Sequence, residues 1–138
     1  MTEKKSQELS PVLRSPEEPR IIISSSYRRW SSRTHIWHPP TDVYETQTAI
    51  IVQIEIAGMH ESEFIISLEN RSLTISGIRQ GPAEKGAYYQ MEIQSGEFMS
   101  IVELPNAVVY DQVEAIYQDG FLRVVLPKAI PSRIEVKK

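Results

Sequence analysis

Apolar and polar residues alternate along the segment AIIVQIEIAG, which covers residues 49–58. Residues two apart in an extended chain point to the same side, so one side of this segment is apolar while the other carries Gln53 and Glu55. The apolar side consists of Ile50, Val52, Ile54 and Ile56. This pattern predicts a half-buried β-strand that ends near Gly58.

The same alternation returns in shorter runs farther along the chain. These runs are Phe64, Ile66 and Leu68; Leu73 and Ile75; Phe98, Val102 and Leu104; Val113, Ala115 and Tyr117; and Leu122 and Val124. The turn signals between them are Glu69-Asn70-Arg71, Gly77, Gly96, Leu104-Pro105-Asn106 and Asp119-Gly120. Short strands at this spacing, with no helical segment long enough for a crossover, predict an all-β fold, an immunoglobulin-like antiparallel β-sandwich. Asp119-Gly120 is typical of a tight hairpin turn.

Further large apolar residues would face away from this core. They are Ile51, Ile65, Met99, Ile101, Ile116, Phe121 and Val125. A small monomer usually leaves fewer such side chains in water, which favours a covering surface. The alternative is that curled sheet edges bury several of them.

The segment IRQGPAEKGAYYQMEIQS, residues 78–95, is too long for a hairpin turn. It contains a strand-like run, YYQMEI, at residues 88–93. A long loop with its own strand can pair outside its own sheet, and we expect a second subunit as its partner.

Three parts follow from the pattern along the chain. Residues 1–36 lack a sustained period and predict a flexible N-terminal arm with scattered apolar anchors. Residues 37–128 form the predicted sandwich, and residues 129–138 form a C-terminal tail that ends in SRIEVKK. Ile134 and Val136 lie two residues apart in a tail too short for its own core, so we expect them to bind elsewhere. A frayed apolar tail is the alternative.

Composition limits the chemistry. The chain of 138 residues has no cysteine, which excludes disulfides, thiol nucleophiles and cysteine metal ligands and is compatible with a cytoplasmic location. The stretch GPAEKG, residues 81–86, does not match a phosphate-binding loop, and His35 and His38 lack further ligands for a metal. We therefore expect no cofactor, no metal and no enzymatic activity. No apolar run is long enough for a membrane span.

Charge separates the arm from the rest of the chain. Residues 1–36 carry seven Lys/Arg and four Asp/Glu, a net +3, while residues 37–138 carry eight and fourteen, a net −6, which together give −3. Tyr27-Arg28-Arg29-Trp30 mixes basic and aromatic residues as a single-strand nucleic-acid binder would. The acidic domain beside it repels nucleic acid, so we predict no such partner.

Several motifs, in order, carry a family resemblance. They are WHPPTDVYET at residues 37–46, Ile56-Ala57-Gly58-Met59, LTISGIR at residues 73–79, and EAIYQDGFLRVVLPK at residues 114–128. From Trp37 to Val136 the chain resembles the small heat-shock proteins of the bacterial and plant type, whose shared module is the α-crystallin domain. Phe121 replaces the usual valine of the last motif, and Ser100 stands where the family usually has an arginine that supports the dimer interface.

The resemblance implies two assembly contacts. The tail residues Ile134 and Val136 would enter a groove on a neighbouring subunit, because two β-branched side chains two apart can fill adjacent pockets. That groove would be lined by Phe64, Ile66, Leu68, Val113, Ala115 and Tyr117. The loop strand, with Tyr88, Tyr89, Met91 and Ile93, would pair with Val43 and Tyr44 at the first strand of a partner in a swapped-strand dimer.

The function implied is that of an ATP-independent holdase chaperone of the heat-shock response, which binds unfolding proteins and prevents their aggregation. Its partners would be client proteins and copies of itself, as a homodimer and a larger homo-oligomer. The client-binding anchors would be Ile21, Ile22, Ile23, Tyr27 and Trp30. An adaptor or co-chaperone that binds one folded partner is the first alternative, followed by a purely structural assembly protein.

Overall fold

The computed structural model describes residues 35–60 and 63–130, together with two short strands in the N-terminal arm. The arm strands are β1 (Gln7–Glu8) and β2 (Arg20–Ile23). The strands that follow are β3 (Thr41–Glu45), β4 (Ala49–Glu55), β5 (Ile65–Glu69), β6 (Ser72–Arg79), β7 (Gly96–Glu103), β8 (Glu114–Gln118) and β9 (Phe121–Pro127). A 3-10 turn, Tyr110–Gln112, precedes β8.

The strands form two sheets. One has the order β1-β2-β5-β6-β7 and the other the order β3-β4-β9-β8. Strand pairs are antiparallel except for β2 and β5, which run parallel. The predicted antiparallel sandwich is therefore confirmed.

The core lies between the sheets and consists of the alternating residues of the facing strands. In β4 the register pairs Ile50 with Leu126, Val52 with Val124, and Ile54 with Leu122. All six of these side chains are fully buried. Burying each large aliphatic side chain stabilises the fold by about 1.5–3 kcal/mol, so the alternation seen in the sequence is the main source of the two-layer structure.

A row of aromatic rings crosses the interior. Trp37 and Phe98 have ring centroids 5.7 Å apart, Phe98 and Phe64 6.1 Å, and Phe64 and Tyr117 5.0 Å, all in tilted or edge-on geometry. Such geometry is favourable for aromatic pairs beyond the area they bury. The row runs from Trp37, through Phe98 of β7 and Phe64 directly before β5, to Tyr117 of β8.

One hairpin turn has the backbone conformation that its residues predict. Asp119 and Gly120 have φ values of 53° and 80°, and they connect β8 to β9 directly as a two-residue turn. Positive φ at both positions is typical of a type I′ turn, so the prediction for Asp119-Gly120 is confirmed.

The prediction of a turn at Gly77 is wrong. It lies inside β6, where it pairs with Phe98 of β7. A Cβ at this position would lie 2.7 Å from the Glu63 carbonyl oxygen and 2.8 Å from Cζ of Phe98. Glycine occurs here because the chain and the Phe98 ring approach the backbone closely, not because the chain turns.

Some of the apolar residues that were expected to face outward are buried by the sheet edges, and others stay exposed as expected for a covered surface. Ile51 and Met99 are buried within the chain itself. Ile65, Ile101, Ile116 and Phe121 are 39–55% exposed, and Val125 is intermediate. The sheet margins therefore cover part of this set, while a second group still faces outward.

The arm contributes backbone pairing to the first sheet. β2 pairs with β5, and β1 pairs with β2 on its other edge. Ile21, Ile22 and Ile23 lie in β2, whereas Tyr27 and Trp30 lie outside the described residues, as do Ile134 and Val136. The three-part division into arm, domain and tail stays a prediction.

Candidate assembly surfaces

β3 is an edge strand of the second sheet, since among the described strands it pairs only with β4. Four of its five residues are exposed, and Val43 and Tyr44 are each 44% exposed. Val43 is the register partner of Val52, a fully buried core residue. Directly opposed residues share a face, so Val43 lies on the core side of the sheet, and it is exposed because no described strand covers the edge of β3.

An ion pair fixes the end of β3. Nζ of Lys128 lies 2.5 Å from Oε2 of Glu45, and the lysine side chain is fully buried while that of Glu45 is 31% exposed. The Asn106 side-chain amide also donates a hydrogen bond to Glu45, over 3.4 Å. The buried ammonium group therefore has a charged partner, and β3 is attached at this end to the residue that follows β9.

The start of β3 is attached to β7. The hydroxyl groups of Thr41 and Ser100 are hydrogen-bonded over 2.8 Å, and the Thr41 hydroxyl also lies 3.0 Å from the Pro39 carbonyl oxygen, to which it can donate. Ser100, at the position of the usual family arginine, is buried. The short, uncharged Ser100 side chain thus forms a hydrogen bond within its own chain and places no charge at this position.

The loop of residues 80–95 presents apolar side chains to solvent. Tyr88 is 55% exposed, Tyr89 103%, Met91 66% and Ile93 80%. Within a single chain the segment 88–93 is not a strand, because no edge of its own sandwich pairs with it. Tyr89, Met91 and Ile93 are two residues apart, so an extended conformation would place all three on one face.

Arg79 holds the two ends of this loop together. It ends β6 and donates hydrogen bonds from Nε and Nη2 to the carbonyl oxygen of Gln94, at 3.0 Å and 2.5 Å, and from Nη1 to that of Ala57 at 3.3 Å. Its guanidinium carbon lies 4.4 Å from the centre of the Trp37 ring. Sequence reasoning noted Arg79 only as part of a motif, since its partners are distant along the chain.

The six predicted groove residues are brought together at the opposite margin. Phe64, Ile66 and Leu68 on the β5 side and Val113, Ala115 and Tyr117 on the β8 side all belong to or pack against the core cluster. The hydroxyl of Tyr117 donates to the carbonyl oxygen of Ile56 at 2.7 Å and accepts from the Met59 amide at 3.3 Å. The predicted occupants, Ile134 and Val136, lie outside the described residues.

The margin between β5 and β8 is occupied in this structure. β2 pairs with β5 at Ile65, Ile66 and Ser67, and its Cα atoms also come within 8 Å of those of β8. β2 therefore lies alongside the strands assigned to the groove.

Groups suited to metal binding do not cluster in the described ranges. Within residues 35–60 and 63–130 there is no group of three or more His, Cys, Asp or Glu residues that could hold a metal ion. His38 has a hydrogen bond of 2.7 Å between Nδ1 and the carbonyl oxygen of Met99, in which the ring nitrogen donates. No helix in the part of the chain that the structure describes is long and apolar enough to cross a membrane.

The two stacked sheets, the long loop after β6 and the edge strand β3 define an α-crystallin type of β-sandwich domain. Residues 42–138 match the Hsp20/alpha crystallin family, and the chain belongs to this family.

Related proteins extend the match over most of the chain. The chain is 30% identical over 107 residues to the "Probable 15 kDa heat shock protein" of Leptospira interrogans, which covers 76% of this chain and 82% of that protein. It is 30% identical over 131 residues to the "17.7 kDa class II heat shock protein" of Arabidopsis thaliana, covering 89% and 83%. The solved structure of heat shock protein 16.0 from Schizosaccharomyces pombe superposes with a TM-score of 0.67 at 26% identity, covering 73% of this chain and 96% of that one.

Family membership supports a chaperone role in the heat-shock response. Small heat-shock proteins form oligomers, bind client proteins without ATP and are generally not enzymes.

Proposed function

We propose that this protein is a cytoplasmic, ATP-independent holdase, which assembles from swapped-strand dimers and binds unfolding proteins before they aggregate. The observation that carries the proposal is a pair of incomplete surfaces in one chain. The loop has exposed apolar side chains, and β3 has an edge that no described strand covers.

The two surfaces are complementary in chemistry. A loop strand placed beside β3 would satisfy the free backbone groups of that edge, and its apolar face would continue the core over Val43. Burial of Tyr89, Met91 and Ile93 would stabilise the contact by about 1.5–3 kcal/mol for each side chain. Two such contacts related by a two-fold axis protect two edges in one dimer.

The attachment of both surfaces supports the same proposal. Arg79 joins the loop ends to the sandwich, and the Glu45–Lys128 pair holds the end of β3. A partner would therefore meet an edge and a loop base that are already positioned, which lowers the entropy cost of association.

The holdase mechanism requires no covalent step. Apolar surface released when assembly contacts loosen would cover the exposed apolar patches of an unfolding client and reduce their aggregation. Ile21, Ile22, Ile23, Tyr27 and Trp30 are the proposed client anchors, and Ile134 and Val136 the proposed assembly tail. Adaptable apolar anchors suit many partners.

The test is the turbidity of an aggregating client enzyme, heated with the full chain at equal molar amounts and without ATP. We expect turbidity to be suppressed in proportion to the chaperone added, and adding ATP to change nothing. Serum albumin at the same mass concentration is the control for crowding. Unchanged turbidity with several unrelated clients would contradict the holdase and favour the adaptor.

A further inference from the structure

The edge of β5 that does not pair with β6 can bind one strand. Its other edge is paired with β6 over five register positions, from Ile65 to Glu69. In this structure β2 pairs with that edge, with Arg20 beside Ile65, Ile21 beside Ile66 and Ile22 beside Ser67. Because backbone groups pair with one neighbour on each side, any other strand at this edge must displace β2.

The arm and the tail carry the same short pattern. β2 reads Arg20-Ile21-Ile22-Ile23, and the tail reads Arg133-Ile134-Glu135-Val136. In each segment an arginine is followed by a β-branched residue, a variable residue and a second β-branched residue. Two segments with this spacing present the same chemistry to one edge of a sheet.

The register shows where the arm pattern falls. Ile21 is the partner of Ile66, which is fully buried in the core, whereas Ile22 is the partner of half-buried Ser67. β2 also lies near β8, which supplies the second wall of the predicted groove. The arm strand thus occupies the site for which the tail is the proposed ligand.

We infer that the arm strand β2 is a built-in competitor of the tail, and that the groove holds one of the two segments at a time. The inference rests on the proposed docking of the tail. β2 is attached to the same chain, so its docking does not depend on protein concentration, whereas a tail from another subunit gains as concentration rises. Undocking of β2 would at once open the groove and release the apolar arm segment proposed to bind clients.

The test measures binding of a fluorescent peptide with the sequence of residues 131–138. The receptor is the full chain with Ile134→Ala and Val136→Ala, so that its own tail does not compete. If β2 closes the groove in about nine tenths of the molecules, the apparent Kd of the peptide is raised about tenfold. We therefore expect Ile21→Ala with Ile23→Ala to lower that Kd about tenfold, and the matched control Ile22→Ala to leave it nearly unchanged.

A second pair of variants locks the arm in place. The chain has no cysteine, so Ile22→Cys with Ser67→Cys introduces a single pair at register partners. Neighbouring strands lie about 4.8 Å apart, within the range of about 4.4–6.8 Å between Cα atoms that a disulfide requires. We expect the oxidised protein to lose peptide binding and the reduced protein to regain it.

Three results would overturn the inference. The first is equal peptide affinity with and without the arm substitutions, and the second is peptide binding to the oxidised protein. The third is failure of the cysteine pair to form a disulfide, which would remove β2 from the edge. If no receptor binds the peptide, tail docking and the competition fall together, while suppression of client turbidity remains an independent test of the holdase.

Discussion

Gly77 fixes how closely β6, β7 and the chain before β5 approach one another. The carbonyl oxygen of Glu63 and the ring of Phe98 fill the space that a side chain would need. This ring also contacts Trp37 and Phe64 in the aromatic row. A single added methyl group would therefore disturb both the strand spacing and the core.

We predict that Gly77→Ala lowers the free energy of unfolding by about 1–3 kcal/mol, because overpacking forces the ring and the backbone to shift. Gly86→Ala is the matched control, since nothing lies within 4 Å of its Cβ. We expect that control to change stability by less than about 0.5 kcal/mol. Urea unfolding at one fixed protein concentration measures both, and equal stability of the two variants would contradict the close approach.

Tyr117 is the one polar group among the predicted groove residues. We predict that Tyr117→Phe costs about 1–2 kcal/mol, because the Ile56 carbonyl and the Met59 amide each lose a partner in a partly buried site. Tyr110→Phe removes one exposed hydroxyl hydrogen bond to the Asn70 carbonyl and serves as the control. If both variants lose the same stability, the Tyr117 hydrogen bonds have no special role.

At the scale of elements, the loop after β6 and the strand β3 belong together in their chemistry although they lie apart along the chain. The loop has exposed apolar side chains and no strand partner in the described part of the chain, and β3 has an edge, with Val43 beside it, that no described strand covers. We propose that each element completes the other across two chains of a dimer.

We predict that Met91→Ser with Ile93→Ser weakens the dimer at least about 100-fold. The two lost side chains would remove about 3–6 kcal/mol of burial, and each 1.4 kcal/mol corresponds to about a factor of ten. Sedimentation across a concentration series measures the shift toward monomer. Gln90→Ser, which would lie on the opposite face of an extended strand, should leave the dimer intact, and a dimer unaffected by the double variant would exclude the loop from the interface.

The sequence predicted most of the strands but not the arm strand. Period-2 alternation is a local signal, and it located β4, β5, β8 and β9 because each carries its core residues in its own segment. Gly77 was assigned to a turn because glycine marks both turns and close approaches. β2 was missed because Ile21, Ile22 and Ile23 show no alternation and their partner strand lies far along the chain.

The assembly residues stay predictions. Alternation and family motifs nominated the six groove residues and the loop residues, and the structure shows that the former belong to or pack against the core and that the latter are exposed. The roles of Arg79, and of Glu45 with Lys128, were not predictable, because each depends on groups brought together only by the folded sandwich. Whether the edge beside Ile66 is empty or occupied is likewise a property of the whole fold.

At the scale of the whole molecule, assembly size should depend on the tail. We predict that Ile134→Ala with Val136→Ala lowers the mass of the oligomer, because two β-branched groups no longer fill the groove of a neighbour. Light scattering measures the mass at several concentrations. Lys137→Ala with Lys138→Ala is the control for lost charge, and an unchanged mass in the apolar variant would refute tail docking.

Trp37 gives the protein an optical signal at the base of the loop. It is 8% exposed, packs against Phe98 and lies beneath the guanidinium of Arg79, which also holds Gln94. The chain has two tryptophans, so Trp30→Phe leaves Trp37 as the sole indole emitter. Release of the loop base would admit water to the indole and shift its fluorescence to longer wavelength, so the Trp30→Phe variant can report loop opening during heating without an attached dye.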